Sequence, residues 1–304
     1  MIGGPTGVGK SQMAIKLAEL LGTEIISADS RQVYQELNIG TAKPSQRDLQ
    51  RVKHHLIDVL SITSRFTASD FEQQGLSILQ QIFKDHDLAI VCGGTGFYIH
   101  ALCYGLDEIP DVDPASRQKF DTLFENFGLQ SLQDELQSKD PDYFQQVDVA
   151  NSRRIIRALS VIEQTGQTYS SFLRQEPASR PFHVTGILLE EERHTLYDKI
   201  NRRVDQMILD GLEDEVRSLL PWKTLPALQT VGYQEWFEFF EEKISRDEVV
   251  RLIKRNTRRY AKRQCTWFRK HGKWTSFAPT QMDAIHSHLQ NVVSERKARE
   301  DPNY

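Results

Sequence analysis

Hydrophobic positions divide the chain into three stretches with different rhythms. Over the first hundred residues, short apolar runs alternate with longer segments that repeat every three to four residues. SQMAIKLAELLG, residues 11–22, carries Met13, Ile15, Leu17, Leu20 and Leu21 before Gly22, and this spacing predicts a helix ended by the glycine. EIISAD (24–29) is apolar and then polar, the pattern of a buried strand. ASDFEQQGLSILQQIFKDH predicts a helix starting near Ser69 or Asp70, and LAIVCGGTG (88–96) a second buried strand running into glycines. Strand–loop–helix units in series predict an α/β fold with a parallel sheet.

Near Pro110 the rhythm changes. Asp/Pro punctuation separates helix-length segments, and no buried strand appears until FHVTGILLE (182–190). The expected organisation is an α/β core over 1–112, a mostly helical insertion over 113–182, completion of the core with C-terminal helices over 183–290, and a polar, frayed tail over 291–304. The segment 192–220 is expected to be one long helix before Pro221, with further long helices across 231–270.

Chemistry enters at the first turn. Gly4, Pro5, Thr6, Gly7, Val8, Gly9, Lys10 and Ser11 match G-x-x-x-x-G-K-[ST]. In such a loop, backbone N–H groups converge on phosphate oxygens at a helix N-terminus, the lysine reaches a phosphate, and the hydroxyl can ligate Mg²⁺. The pattern is nucleotide-binding, and ATP-binding at motif level, but physically it recognises a diphosphate with its metal. Neither an adenine nor a γ-phosphate is implied. A strand of about five residues should precede it, yet only Met1 and Ile2 stand before Gly3. A central strand cut short, by a late start codon or a shortened chain, is expected, at some cost in stability.

Ligands of parallel α/β sheets bind at the carboxyl ends of the strands. One such end carries Asp29, Ser30, Arg31 and Gln32, another Gly93, Gly94, Thr95 and Gly96. The second lacks the acid that a P-loop ATPase or kinase places there. Asp29 is the carboxylate positioned to act as a base, although helix capping or a place behind a metal would suit it too.

GPTGVGKS, ISADSRQVY, NIGTAKP, HHLID, FTASDF, GGTGFY, VGYQE and YAKRQCTWFR occur in that order. Together they resemble the tRNA dimethylallyltransferase (isopentenyltransferase) family, bacterial type, from Gly4 to about Phe277. The resemblance implies a P-loop NTPase-like core and transfer of a dimethylallyl group from dimethylallyl diphosphate to N6 of the adenosine 3′-adjacent to the tRNA anticodon. Asp29 would be the base, and Thr95 would help hold the reacting site. Lys10 and Arg203 would attend the diphosphate, with Arg202 the neighbouring candidate, and Ser11 would hold Mg²⁺. The family's tRNA contacts map onto Asp29, Ser30, Arg31, Gln32 and Thr95 at the strand ends. In the insertion they map onto Arg117 and the run Arg153, Arg154, Ile155, Ile156 and Arg157, where Arg153 departs from the family's usual glutamine. Toward the C-terminus they map onto Gln229, Gly232 and Tyr233, and then Lys262, Arg263, Gln264, Trp267 and Arg269. Such enzymes grip the anticodon stem from two sides and reach the base through a channel between domains.

Charge supports an RNA partner independently. Net charge is -4, but residues 251–274 hold ten Lys/Arg and no acid. Arg251, Lys254, Arg255, Arg258, Arg259, Lys262 and Arg263 would form one basic stripe on a helix, interleaved with Tyr260, Trp267, Phe268 and Trp274. Three alternatives stay open: a small-molecule P-loop kinase, an adenylate isopentenyltransferase acting on free nucleotides, and a non-catalytic tRNA-binding protein. Cys92, Cys103 and Cys265 are far apart and predict neither zinc nor disulfides. No run approaches the ~20 apolar residues of a membrane span, and the phosphate loop stands where a signal peptide would. A cytoplasmic monomer is expected.

Overall fold

The computed structural model describes residues 1–174 and 176–300, and its contacts divide the chain into two compact units. Unit 1 comprises Met1–Tyr104 and the chain from Arg180 onward; unit 2 is Gly105–Ser179.

Unit 1 begins with β1 (Ile2–Gly3), α1 (Lys10–Leu21), β2 (Ile25–Ser27), α2 (Gln46–Arg51), β3 (His54–His55), α3 (Ala68–Ile82), β4 (Ile90–Cys92) and α4 (Gly96–Tyr104). Unit 2 contributes α5 (Pro114–Lys139), α6 (Pro141–Gln146) and α7 (Ser152–Thr165). Unit 1 resumes with β5 (Ile187–Leu189), α8 (Arg193–Leu209), α9 (Leu212–Ser218), α10 (Gln234–Phe240), α11 (Arg246–Lys270), β6 (Thr275–Phe277) and α12 (Met282–Glu300). The six strands form one parallel sheet in the order β3-β2-β4-β1-β5-β6.

The inner strands β2, β4 and β5 read as apolar runs because both faces of the sheet are covered there. Ile25, Ile90, Cys92, Ile187 and Leu189 point into a cluster with Met13, Ile15 and Leu17 of α1. Their alternates Ile26, Val91 and Leu188 point into the other cluster, with Phe71, Leu79, Trp236 and Ile253. β1, two residues long, is central: Ile2 pairs with Cys92 on one side and Ile187 on the other. The terminal ammonium donates to the Thr185 carbonyl oxygen at 2.8 Å, and burial lowers its pKa from the ordinary value.

Several elements differ from the sequence expectations. β3 and β6 are sheet-edge strands without an apolar run, so their pattern gave no strand signal. The long helix expected across 192–220 breaks at Gly211, whose φ of 96° is left-handed, and resumes as α9. α3 begins at Ala68, because Thr67 caps it and the Asp70 carboxylate returns to the Thr67 N–H. The tail expected to fray from 291 continues α12 as far as Glu300, and 301–304 lie outside the described residues.

Unit 2 starts at Gly105 and ends at Ser179, against 113 and 182 from sequence. Ile109 and Val112, ahead of α5, pack on its core of Phe120, Leu132, Leu136, Ile155 and Leu159, which draws the boundary back. No helix among the described residues is long and apolar enough to cross a membrane.

Candidate functional site

Three neighbouring strands, β2, β4 and β1, end side by side, and each releases one piece of the site. From β1 comes the loop Gly4–Ser11. Gly4, Gly7 and Gly9 hold φ values of 144°, 84° and 105°, where a side chain would strain the backbone. A Cβ on Gly7 would stand 2.9 Å from Ile200 of α8. The loop therefore curls tightly into α1 and leaves the first N–H groups of that helix without helical partners.

Lys10 opens α1 and is folded back on the loop, its Nζ donating to the Pro5 carbonyl at 2.8 Å. Burial pushes its pKa down to about 8, with Arg203 adding to the fall and Asp29 opposing it. Arg203 of α8 approaches Thr6 Oγ1 at 3.5 Å, and burial lowers its pKa from the ordinary value. Between Arg202 and Arg203, only Arg203 reaches the loop; Arg202 is exposed on the cavity rim.

From β2 comes the segment Asp29–Gln32. Asp29 Oδ1 accepts from the Arg31 N–H at 2.9 Å and the Gln32 N–H at 3.4 Å, which fixes the half-buried carboxylate. From β4 comes Gly93–Thr95. Thr95 Oγ1 accepts from the Ser30 N–H at 3.0 Å and so ties the two strand ends together. Gly93 lies so close to the Ala28 carbonyl that a Cβ would meet it at 2.1 Å. Lys10, Asp29, Thr95 and Arg203, scattered over 194 positions in sequence (203 − 10 + 1), thus converge on one end of the sheet.

Beside the loop opens a cavity of about 820 Å³. Gly7, Lys10, Ser11 and Arg203 line one part of it, and Asn38, Ile39, Ala42 and Lys43 another.

Other sequence candidates fall elsewhere. Gln32 is buried; its Oε1 accepts from Ser27 Oγ, and its Nε2 donates to the carbonyls of Thr41 and Ala42. Gln264 is buried as well. Its Oε1 accepts the Thr6 N–H at 2.8 Å and its Nε2 donates to the Gly94 carbonyl at 2.9 Å, so it ties the phosphate loop to β4's end. Tyr233 is fully buried and its hydroxyl donates to Glu215. Gly232 donates its N–H to Glu235, and Gln229 donates to the Lys223 carbonyl. The polar groups of Gln32, Gln264 and Tyr233 are thus bonded within the protein, whereas Gln229 is exposed.

Ile155 and Ile156 are core residues of unit 2, their side chains buried against its other helices. Arg153, Arg154 and Arg157, on the same helix, are exposed; Arg117 is exposed and pairs with Asp121 at 3.3 Å.

The single basic stripe expected on α11 is divided. Lys254 pairs with Asp205 at 2.5 Å, Arg258 donates to Asn201 at 2.6 Å, and Arg251 pairs with Glu248 at 2.5 Å. Arg259, Lys262, Arg263 and Arg269 are exposed. Trp267, half-buried, stacks on His271 with ring centroids 4.6 Å apart, and Gly96 lets α4 approach its ring.

Tyr260 was noted in sequence only as an interleaved aromatic. The residue is 37% exposed, and its phenol is pushed up to about 12, by desolvation first and then by the Asp29 carboxylate. NIGTAKP, quoted only as a motif, is the other wall of the cavity. Among the described residues no group of three His, Cys, Asp or Glu side chains could hold a metal. The cysteines are free, with Cys92 and Cys103 buried.

The chain is similar to several known proteins. A family model described as IPP transferase matches residues 32–271. A tRNA dimethylallyltransferase 1 of Bacteroides thetaiotaomicron is 44% identical over 292 residues, covering 95% of each chain. A tRNA dimethylallyltransferase of Christiangramia forsetii is 45% identical over 276 residues, covering 90% of this chain and 91% of that one. The crystal structure of the full-length tRNA isopentenylpyrophosphate transferase of Bacillus halodurans has a TM-score of 0.73 at 35% identity, over 98% of this chain and 97% of that one. With a parallel P-loop-like sheet, the match of the family model and this identity over nearly its whole length, the chain belongs to the IPP transferase family and is a transferase.

Proposed function

We propose that the enzyme transfers a dimethylallyl group from dimethylallyl diphosphate to N6 of the adenosine 3′-adjacent to the anticodon in tRNA, releasing diphosphate. The observation that carries this reading is that β1, β2 and β4 end side by side, which brings the phosphate loop, with Arg203 of α8 at Thr6, to the same end of the sheet as Asp29 and Thr95.

The donor's diphosphate lies in the loop Gly4–Ser11, against its N–H groups, Lys10 and Arg203. The N6 lone pair attacks C1 of the dimethylallyl group while the C1–O bond breaks, and that electron pair leaves on the diphosphate. The N6 proton passes to the Asp29 carboxylate. An exocyclic adenine amine is a weak nucleophile, so the fixed carboxylate matters most as charge develops on the nitrogen. The loop amides, Lys10 and Arg203 stabilise the charge growing on the departing diphosphate. Thr95, which holds the Ser30 N–H, keeps the Asp29 segment in register with β4.

The donor set suits Mg²⁺ rather than a metal caged by protein. Ser11 offers a hydroxyl at the cavity, and Mg²⁺ is commonly bound by one or two protein groups, phosphate oxygens and water. When bound there it neutralises diphosphate charge. The adenosine must leave its stack to reach Asp29, and the exposed cations Arg259, Lys262, Arg263 and Arg269 supply a surface for the phosphate backbone. The enzyme is expected to work as a monomer in the cytoplasm.

Asp29→Asn tests the assignment while keeping an oxygen for the Arg31 N–H. Purified enzyme is incubated with dimethylallyl diphosphate, Mg²⁺ and unmodified tRNA, and N6-dimethylallyladenosine is measured by nucleoside mass spectrometry. The expected loss of rate is about 10²- to 10⁴-fold. Undiminished product from the variant would remove Asp29 as the base; prenylation of free AMP in preference to tRNA would replace the acceptor.

A further inference from the structure

The geometry points to Glu215 as a positioning residue of the transfer site: a carboxylate of α9 that holds the 38–44 wall of the cavity in place from outside it. The inference rests on the transfer reading above.

Glu215 Oε2 accepts the N–H groups of Asn38 at 3.2 Å and Ile39 at 2.7 Å. Its Oε1 accepts the Gly40 N–H at 3.1 Å and the Tyr233 hydroxyl at 2.7 Å. A carboxylate offers about four lone-pair sites, and four donors meet them here. Three consecutive backbone N–H groups converging on an anion form the kind of concavity that elsewhere binds free phosphate. In this protein the anion is its own side chain, more than 170 residues away in sequence. Gly40 also packs on the Tyr233 ring, where a Cβ would come within 2.5 Å.

The held loop leads to the site. It turns through Ala42 at a φ of 46°, a conformation that disfavours side chains. The carbonyls of Thr41 and Ala42 then receive Gln32 Nε2, and the Gln32 N–H points to Asp29 Oδ1. Lys43 pairs with Asp58 and donates to the Tyr34 carbonyl at 2.9 Å. Asn38, Ile39, Ala42 and Lys43 face the cavity that Lys10 and Arg203 share. Glu215 is not among the cavity's lining residues. It acts by fixing this wall of the cavity and, through Gln32, the backbone that carries Asp29.

The phosphate loop owes nothing to these bonds, so the effect divides between the two substrates. In Glu215→Ala, kcat/KM for tRNA falls about 10- to 100-fold, the scale of a misplaced reacting group, while KM for dimethylallyl diphosphate changes less than about twofold. Added formate restores part of the rate in this variant by entering the three-amide concavity, and sodium chloride at equal ionic strength does not. Tyr233→Phe, which removes one donor and leaves the carboxylate, gives a smaller loss with the same division between substrates. It serves if Glu215→Ala does not fold.

Wild-type kinetics in folded Glu215→Ala overturns the inference. So does a loss that follows only the folded fraction, with both KM values unchanged and no rescue by formate. A wild-type enzyme that makes no prenylated tRNA overturns instead the transfer reading on which the inference rests.

Discussion

Residues 4–11 and residues 38–44 line one cavity, yet their shapes have different origins. The first loop is shaped largely from within: three glycines at left-handed φ and a lysine bonded to the loop's own Pro5 carbonyl. The second has an alanine, not a glycine, at its left-handed position and is held by distant side chains: Glu215, Gln32 and Asp58. A locally determined wall can be moved intact from one sequence to another. A wall held from afar depends on the packing of α9 and of the residues before α10. The phosphate-loop wall is therefore set mainly by its own sequence, and the 38–44 wall by tertiary structure.

The sharpest way to break this contrast is Gly7→Ala. The added Cβ strains a φ of 84° and meets Ile200 at 2.9 Å. Loss of kcat/KM for dimethylallyl diphosphate by about 100-fold is expected, and steady-state kinetics with donor varied would show it. An unchanged KM would mean that the loop is shaped from outside after all. Lys43→Met acts on the other wall. The Lys43 side chain is only 6% exposed and pairs with Asp58. Its removal should lower tRNA turnover about tenfold, the effect of about 1.4 kcal/mol in the barrier, and leave the donor's KM in place.

A third test uses pH. Lys10 has a folded pKa near 8, lowered by burial from its ordinary value of 10.5. The protonated form binds diphosphate, so kcat/KM for the donor in the free enzyme should be about half its plateau at pH 8 and fall further above it. Stability runs the opposite way. Between about pH 8 and 10.5 the unfolded chain binds more protons at this position than the folded one, so this residue's contribution to stability rises with pH in that window. Lys10→Arg should remove the alkaline limb; a limb that persists belongs to another group.

The smallest effect concerns the divided face of α11. Lys262→Ala should lower the salt dependence of tRNA binding by about one unit in the log–log slope, read by filter binding across salt concentrations. Arg251→Ala, whose partner is Glu248, should leave that slope unchanged.

What could be read in the sequence follows the same contrast. The phosphate loop was legible because its constraint is spelled out by adjacent glycines, lysine and serine. Asp29 and Thr95 were legible because a polar residue after a buried strand stands at the ligand-binding end of a parallel sheet. The break at Gly211 was hidden by apolar periodicity that continues through it, and β3 by two histidines with no apolar pattern. Gln264 and Tyr233 sat in motifs associated with RNA, and only the fold reveals that their polar groups face inward. Ile155 and Ile156 were carried along with the arginines beside them, although helix geometry alternates exposed and buried positions within so short a run. Glu215 carries no local signal, since its three backbone partners lie at least 175 residues away.

Gln264 stands between the Thr6 N–H and the Gly94 carbonyl, on the same helix that presents Arg259, Lys262 and Arg263 outward. The phosphate loop and that cationic surface are thus two handles on one rod. If RNA shifts the rod on docking, the cradle for the leaving group shifts with it; whichever substrate enters first then alters the affinity for the second. Thermodynamic reciprocity requires the same factor in either order of addition.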